Sequence, residues 1–114
     1  MAIGAAVAAP ERPILAIVGD GGWLFTLSEM AVANDLQQRL TLLLWDNTGY
    51  AQIRESFDDV DATRMGVDIS SHDPTAIARG FGWEAIEVTT PPQLKEALST
   101  AFASNAPRFI RVRL

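Results

Sequence analysis

Two polar clusters punctuate an otherwise apolar first half of the chain: Gly19-Asp20-Gly21-Gly22 and Asp46-Asn47-Thr48-Gly49. The glycines of the first let backbone approach a ligand closely and offer N–H groups to anionic oxygens. A helix beginning just after them would add the positive end of its dipole. Asp20 lies in the same cluster, and its carboxylate would repel a bare phosphate. A hard divalent cation between the two resolves the conflict, because Mg²⁺ takes oxygen ligands and commonly links carboxylate to phosphate. The Asn47 side chain and the Gly49 carbonyl could supply further neutral oxygens. Taken alone, an aspartate in a glycine-rich turn reads as a turn residue. The second cluster is what favours the metal.

Each cluster ends a short apolar run. Ile14–Val18 and Thr41–Trp45 read as strands covered on both faces. Ala2–Ala9 reads as a short helix stopped by Pro10. Thr26 and Glu29 fit the N-cap and N3 positions of a capping box, which predicts a helix to about Gln38. Residues 50–72 read as a loop with a short helix. Asp73-Pro74 combines an N-cap with Pro at N1, and Gly80 and Gly82 end the helix it starts. Trp83–Val88 follows as a third strand. Thr90, Pro91 and Gln93 then open a helix to about Ser104. Residues 109–114 alternate polar and apolar, which predicts a strand with one wetter face near the sheet edge. Strands alternating with helices predict one α/β domain over residues 1–114, an open and mostly parallel sheet with helices on both faces. Ligands on such sheets bind beyond the carboxyl ends of the strands, where both clusters lie. About four helices are too few to cover two doubly buried strands. Part of a face or an edge should lie bare, which predicts a homo-oligomer.

Composition narrows the alternatives. The chain has 114 residues, 48% of them hydrophobic, and a net charge of −5 with no basic run, which argues against nucleic-acid binding. No apolar stretch approaches the roughly 20 residues of a membrane span. Met1–Pro10 lacks the basic start of a signal peptide, so a cytoplasmic location is the default. The absence of cysteine excludes disulfides and thiolate metal sites. Trp23, Trp45 and Trp83 read as packing residues, and Met30 and Leu27 as core. His72 reads as a solvated loop residue. Glu55, Asp58, Asp59 and Asp61 read as a solvated face, since no EF-hand spacing is present.

Gly19-Asp20-Gly21, then 25 residues, then Asn47 with Thr48-Gly49-Tyr50 resembles the motif of thiamine diphosphate (ThDP)-dependent enzymes. That motif is a GDG triplet, a spacer of this length and a pair of asparagines. The segments FTLSEMAVA and LLLWDNTGYAQIR are similar to the family's helix after GDG and to its metal loop. The resemblance implies a truncated ThDP-binding fold, with Mg²⁺ held by Asp20, Asn47 and the carbonyl of Gly49. It implies ThDP contacts at Gly19, Asp20, Gly21, Gly22, Asn47 and Gly49, with Tyr50 in the loop that closes over the cofactor. Asp46 departs from the family by replacing the first asparagine, and its carboxylate adds repulsion near a diphosphate. Ile53 stands where pyruvate-decarboxylase-like members carry an acid. NTGYAQIR is closer to acetolactate-synthase-like enzymes and related 2-oxoacid decarboxylases.

The family's pyrimidine-binding domain and its activating glutamate have no counterpart here, so no catalytic residue is assigned. The expected function is therefore the ThDP and Mg²⁺ binding domain of a 2-oxoacid lyase, decarboxylase or acetolactate-synthase-like enzyme. Its partners would be a 2-oxoacid and either a second copy or a pyrimidine-binding domain. The alternatives are a non-catalytic remnant that folds and oligomerises, and one subunit of a split decarboxylase. A receiver-type signalling domain would need an acidic pair after its first strand and a late lysine, and has neither.

Overall fold

Four strands, β1 (Ile14–Gly19), β2 (Leu40–Trp45), β3 (Glu84–Val88) and β4 (Arg108–Val112), form one sheet in the order β1-β2-β4-β3. Every neighbouring pair is parallel. This computed structural model describes residues 1–47, 51–59, 63, 65, 66 and 72–113, with 51–54 as backbone only. The helices are α1 (Ala2–Ala8), α2 (Asp20–Leu24), α3 (Glu29–Asp35), α4 (Ala51–Asp59), α5 (Pro74–Gly80) and α6 (Pro91–Ala103). The connections β1 to β2 and β2 to β3 step the same way across the sheet, whereas β3 to β4 doubles back. If every crossover keeps one hand, α6 must lie on the face opposite α2, α3 and α5.

The packing follows that rule. On one face Leu40, Leu44, Phe109 and Ala85 meet Trp23, Met30, Ala33, Ala78 and Trp83, with Ile3 of α1 packed alongside. On the other, Leu43, Ile110, Val112 and Val88 meet Leu94, Ala97, Leu98 and Ala101 of α6. Met30 joins two tryptophans: its Sδ accepts the Trp23 Nε1–H at 3.4 Å, and its carbonyl accepts the Trp83 Nε1–H at 2.8 Å. Both large rings thus bury their area without leaving a polar end unmet. Gly82, at φ +84°, passes so close to α3 that an added Cβ would lie 2.8 Å from Asn34 Nδ2.

Several expectations need correction. β1 is not covered on both faces. It is an edge strand whose Leu15 and Ile17 are exposed, Ile17 by 66%, because α6 reaches only β3, β4 and Leu43 of β2. Trp45, on the same bare face, is 48% exposed rather than packed. β4 lies inside the sheet, not near its edge. Its polar residues face partners instead of water: Arg108 pairs with Glu84, and Arg111 with Asp46 and Glu87. The Thr26 capping box does not form. The N–H groups of Glu29, Met30 and Ala31 already bond the carbonyls of Thr26, Leu27 and Ser28, and the Thr26 hydroxyl donates to the Trp23 carbonyl. Helix α3 ends at Asp35, and Gln37 takes φ +48°. His72 is half-buried, its ring stacked on Trp23 at 6.0 Å, rather than solvated.

Other readings hold. Met30 is buried and Leu27 packs against the same core. The short helix expected within 50–72 is α4, on which Glu55, Asp58 and Asp59 are exposed, while Asp61 lies outside the described residues. At α6, Thr90 Oγ1 accepts the Gln93 N–H, and Gln93 Oε1 accepts the Thr89 N–H at 2.9 Å.

The α5 cap is well defined. Asp73 Oδ1 accepts the Thr75 hydroxyl at 2.6 Å and the N–H groups of Thr75 and Ala76 at 2.9 and 3.2 Å. The Thr75 hydroxyl, then the Ala76 N–H, hold the Asp73 carboxyl below its ordinary value of 3.8, with a smaller contribution from Arg111. A depressed folded-state pKa stabilises the fold above the unfolded-state value, and that stability is lost as pH falls through the folded value. Asp73→Ala should therefore lower Tm most near neutral pH, with the deficit shrinking below about pH 4, the ordinary range of an aspartate. Thermal melts from pH 2.5 to 7, with Asp73→Asn as a cap-retaining control, check this. A deficit independent of pH would contradict it.

Candidate functional site

The register of the sheet brings the two clusters together. Gly19 pairs with Trp45, so the residues that follow, Asp20 on one strand and Asp46-Asn47 on the other, leave adjacent strand ends. Parallel neighbours lie about 4.8 Å apart, so groups at these ends can share one ligand. Gly19 is the N-cap of α2 and Asp20 its first residue. The first-cluster glycines therefore sit at the strand end and inside a helical turn, where a pre-helical loop was expected. Asp20 is only 8% exposed, and its Oδ1 accepts the Gly21 N–H at 2.8 Å. Gly21 is buried, while Gly19 and Gly22 are exposed, and a Cβ added at either would meet nothing within 4 Å. Among the described residues nothing closes on Gly19 or Gly22. Asn47 is exposed just beyond β2. Gly49 and Tyr50, the other two expected contacts, lie outside the described residues, as does Thr48.

Sequence reasoning missed a cation beside this pair. Arg111, near the end of β4, donates from Nε and Nη2 to Asp46 Oδ2 at 2.6 and 2.5 Å, and from Nη1 to Glu87 Oε2 at 2.8 Å. The Asp46 N–H also donates to the Val112 carbonyl at 3.0 Å. Asp46 is thus tied to β4 through backbone and side chain, one residue before Asn47. The pair spans 65 residues of sequence. Its only sequence trace was the polar alternation of β4, which reads equally well as a wet face.

Among the described residues no group of three or more His, Cys, Asp or Glu could hold a metal. The expected site does not need one, since it uses one carboxylate, one amide and a carbonyl. A separate groove of about 360 Å³ lies between α6 and the β3–β4 pair, lined by Glu84, Ile86, Gln93, Glu96, Thr100 and Arg108 among others. It shares no residue with either cluster. No described helix is long and apolar enough to cross a membrane.

The chain is thus a parallel α/β domain with an aspartate and an asparagine at adjacent carboxyl ends of its sheet. Residues 1–112 match the family described as "Thiamine pyrophosphate enzyme, C-terminal TPP binding domain", and the chain belongs to that family. It is 34% identical over 112 residues to a Pseudomonas aeruginosa protein named "Probable 2-ketoarginine decarboxylase", across 97% of this chain and 20% of that protein. It is 30% identical to benzoylformate decarboxylase of the same organism, across 97% of this chain and 21% of the enzyme. Among solved structures, the ThDP-dependent 4-hydroxybenzoylformate decarboxylase of Rhodococcus jostii RHA1 superposes with a TM-score of 0.90 at 26% identity, across 98% of this chain and 21% of that one. The chain therefore spans about a fifth of the length of the relatives it matches.

The glycine turn has a direct consequence. Gly22 lies in α2, nothing among the described residues closes on it, and alanine is about 0.5–1 kcal/mol more favourable than glycine inside a helix. Gly22→Ala should leave Tm unchanged or raise it slightly. A clear fall in Tm on thermal denaturation would show that the turn is closed by packing.

Proposed function

We propose that this domain anchors ThDP by its diphosphate through Mg²⁺, as part of a 2-oxoacid decarboxylase or acetolactate-synthase-like enzyme. The observation that carries the reading is the delivery of Asp20 and Asn47 to adjacent strand ends beside the glycine turn. The donor set fits the ion. Carboxylate, amide and carbonyl oxygens suit a hard divalent cation, and the chain has no thiolate to attract a softer one. Asp20, Asn47 and the Gly49 carbonyl would hold Mg²⁺, and Gly21 and Gly22 would lie against the diphosphate, with Tyr50 in the covering loop. Bound ThDP supplies an electron sink for breaking a carbon–carbon bond next to a carbonyl. The residues here bind and orient. None is assigned a catalytic role, and the pyrimidine end of the cofactor would be held by another domain.

The decarboxylase and acetolactate synthase names of the relatives support the substrate class. They include the acetolactate synthase of Bacillus subtilis, 28% identical across 97% of this chain. Calorimetry tests the metal directly. ThDP should bind with Mg²⁺ and bind far more weakly after chelation, and Asp20→Ala should abolish the metal dependence. Equal ThDP binding by wild type and Asp20→Ala in Mg²⁺ would overturn the reading.

The bare face supports association with a second copy or another domain. Leu15, Ile17 and Trp45 share one side of the β1–β2 pair, and the outer edge of β1 has no strand partner among the described residues. Apolar burial contributes roughly 25 cal/mol per Å², so a modest patch of this kind drives pairing. We expect a dimer or larger species in light scattering and a shift to monomer on Ile17→Lys. A 12.4 kDa monomer at high micromolar concentration would contradict this.

A further inference from the structure

We infer that Arg111 is a positioning residue for the cofactor site, neutralising Asp46 so that an anionic diphosphate can lie at the end of β2. The inference rests on the diphosphate reading above and extends it to a residue outside both polar clusters. Asp46 stands immediately before Asn47, and its side chain is 6% exposed. Left alone, that carboxylate would face the same strand-end space as Asp20 and oppose an incoming anion. Arg111 meets it with two N–H groups on one oxygen, at 2.6 and 2.5 Å, from a side chain itself only 15% exposed. Its third contact, Nη1 to Glu87 Oε2 at 2.8 Å, braces the guanidinium from the other side. Glu87 is the register partner of Arg111 on β3, so the sheet itself sets that spacing. Arg113 Nη1 approaches the other oxygen of Glu87 at 3.8 Å. Asp46 and Glu87 are thus each met by a guanidinium, and Arg111 also acts electrostatically on the more distant Asp73. The planar fork of arginine and its permanent charge suit this bridging role between two acids on different strands.

A buried ion pair can do two separate jobs. A purely structural Arg111 would lower Tm and affinity together, with an affinity loss insensitive to salt, and Asp46→Asn would rescue both. A neutralising Arg111 matters to an anionic ligand only while position 46 is charged. The experiment is a double-mutant cycle on the full chain, with Mg²⁺–ThDP affinity read by calorimetry and Tm measured alongside. Arg111→Gln should weaken ThDP binding about tenfold, the scale of one uncompensated charge acting across several ångströms at moderate ionic strength. Asp46→Asn alone should stay within about threefold of wild type, and adding it to Arg111→Gln should restore affinity to that range, as charge compensation requires. The Arg111→Gln deficit should also shrink as salt rises. Arg111→Lys, which keeps the charge and loses the fork, should retain most of the affinity and serves if the glutamine variant does not fold.

Equal losses from Arg111→Gln with aspartate or asparagine at position 46, a salt-insensitive loss that follows Tm, or no loss at all, would overturn the inference while leaving the diphosphate reading intact. If Arg111→Gln does not fold, loss of affinity in Arg111→Lys to the same extent with aspartate or asparagine at position 46 would overturn it. Failure of the wild-type chain to bind ThDP in Mg²⁺ would remove the diphosphate reading and this inference together.

Discussion

Six consecutive partners lock β1 to β2, from Ile14 with Leu40 to Gly19 with Trp45, and the carboxyl end of the sheet depends on that register. A slip of β1 by one residue would turn Ile14, Ala16 and Val18 out of the core and move Asp20 relative to Asp46-Asn47. The register is held by unlike faces. One side of the pair presents Ile14, Ala16, Val18, Leu40 and Leu44 to the core around Trp23, while the other carries the largely bare Leu15 and Ile17. Burying several such side chains contributes about 1.5–3 kcal/mol each, enough to exclude the slipped pairing. The placement of the polar clusters is thus a by-product of the apolar packing beside them.

The sheet is covered unevenly, and that asymmetry shapes everything outside the site. Two crossovers step one way and place α2, α3 and α5 on one face, while the single return step leaves α6 to cover the other. The bare corner is therefore at β1, the strand that ends in the Gly19–Gly22 turn. Charge is arranged with equal economy. The arginines of the interior strand β4 sit where carboxylates on β3 and just beyond β2 flank them, so an inner strand tolerates polar residues. Such pairs add little stability by themselves, since desolvation offsets much of their attraction. What they fix is geometry at the strand ends.

Most elements were legible because each carried a local signal. Pro74 after Asp73 and Pro91 after Thr90 marked two helix starts within a residue, and the apolar runs marked β1 and β2. The placement of Asp20 and Asn47 at neighbouring strand ends was legible because each follows such a run, and parallel strands present their carboxyl ends together. What failed was decided by tertiary contacts. The Thr26 cap was pre-empted by backbone bonds of a turn joining α2 to α3. The acids that meet the arginines of β4 lie as far as 65 residues away, beyond any local pattern. The exposure of Trp45 followed from which face α6 covers, which no local pattern encodes.

The central claim is that the ends of β1 and β2 jointly hold a metal-bridged diphosphate. Substituting Mn²⁺, which suits the same hard oxygen ligands, turns the metal into a relaxation probe that backbone NMR reads residue by residue. With ThDP and Mn²⁺ together, the amide signals of Gly21, Gly22 and Asn47 should broaden beyond detection. Those of Glu84 and Glu96 at the α6 groove should persist. Broadening centred on that groove, with residues 20–22 and 47 spared, would contradict the account.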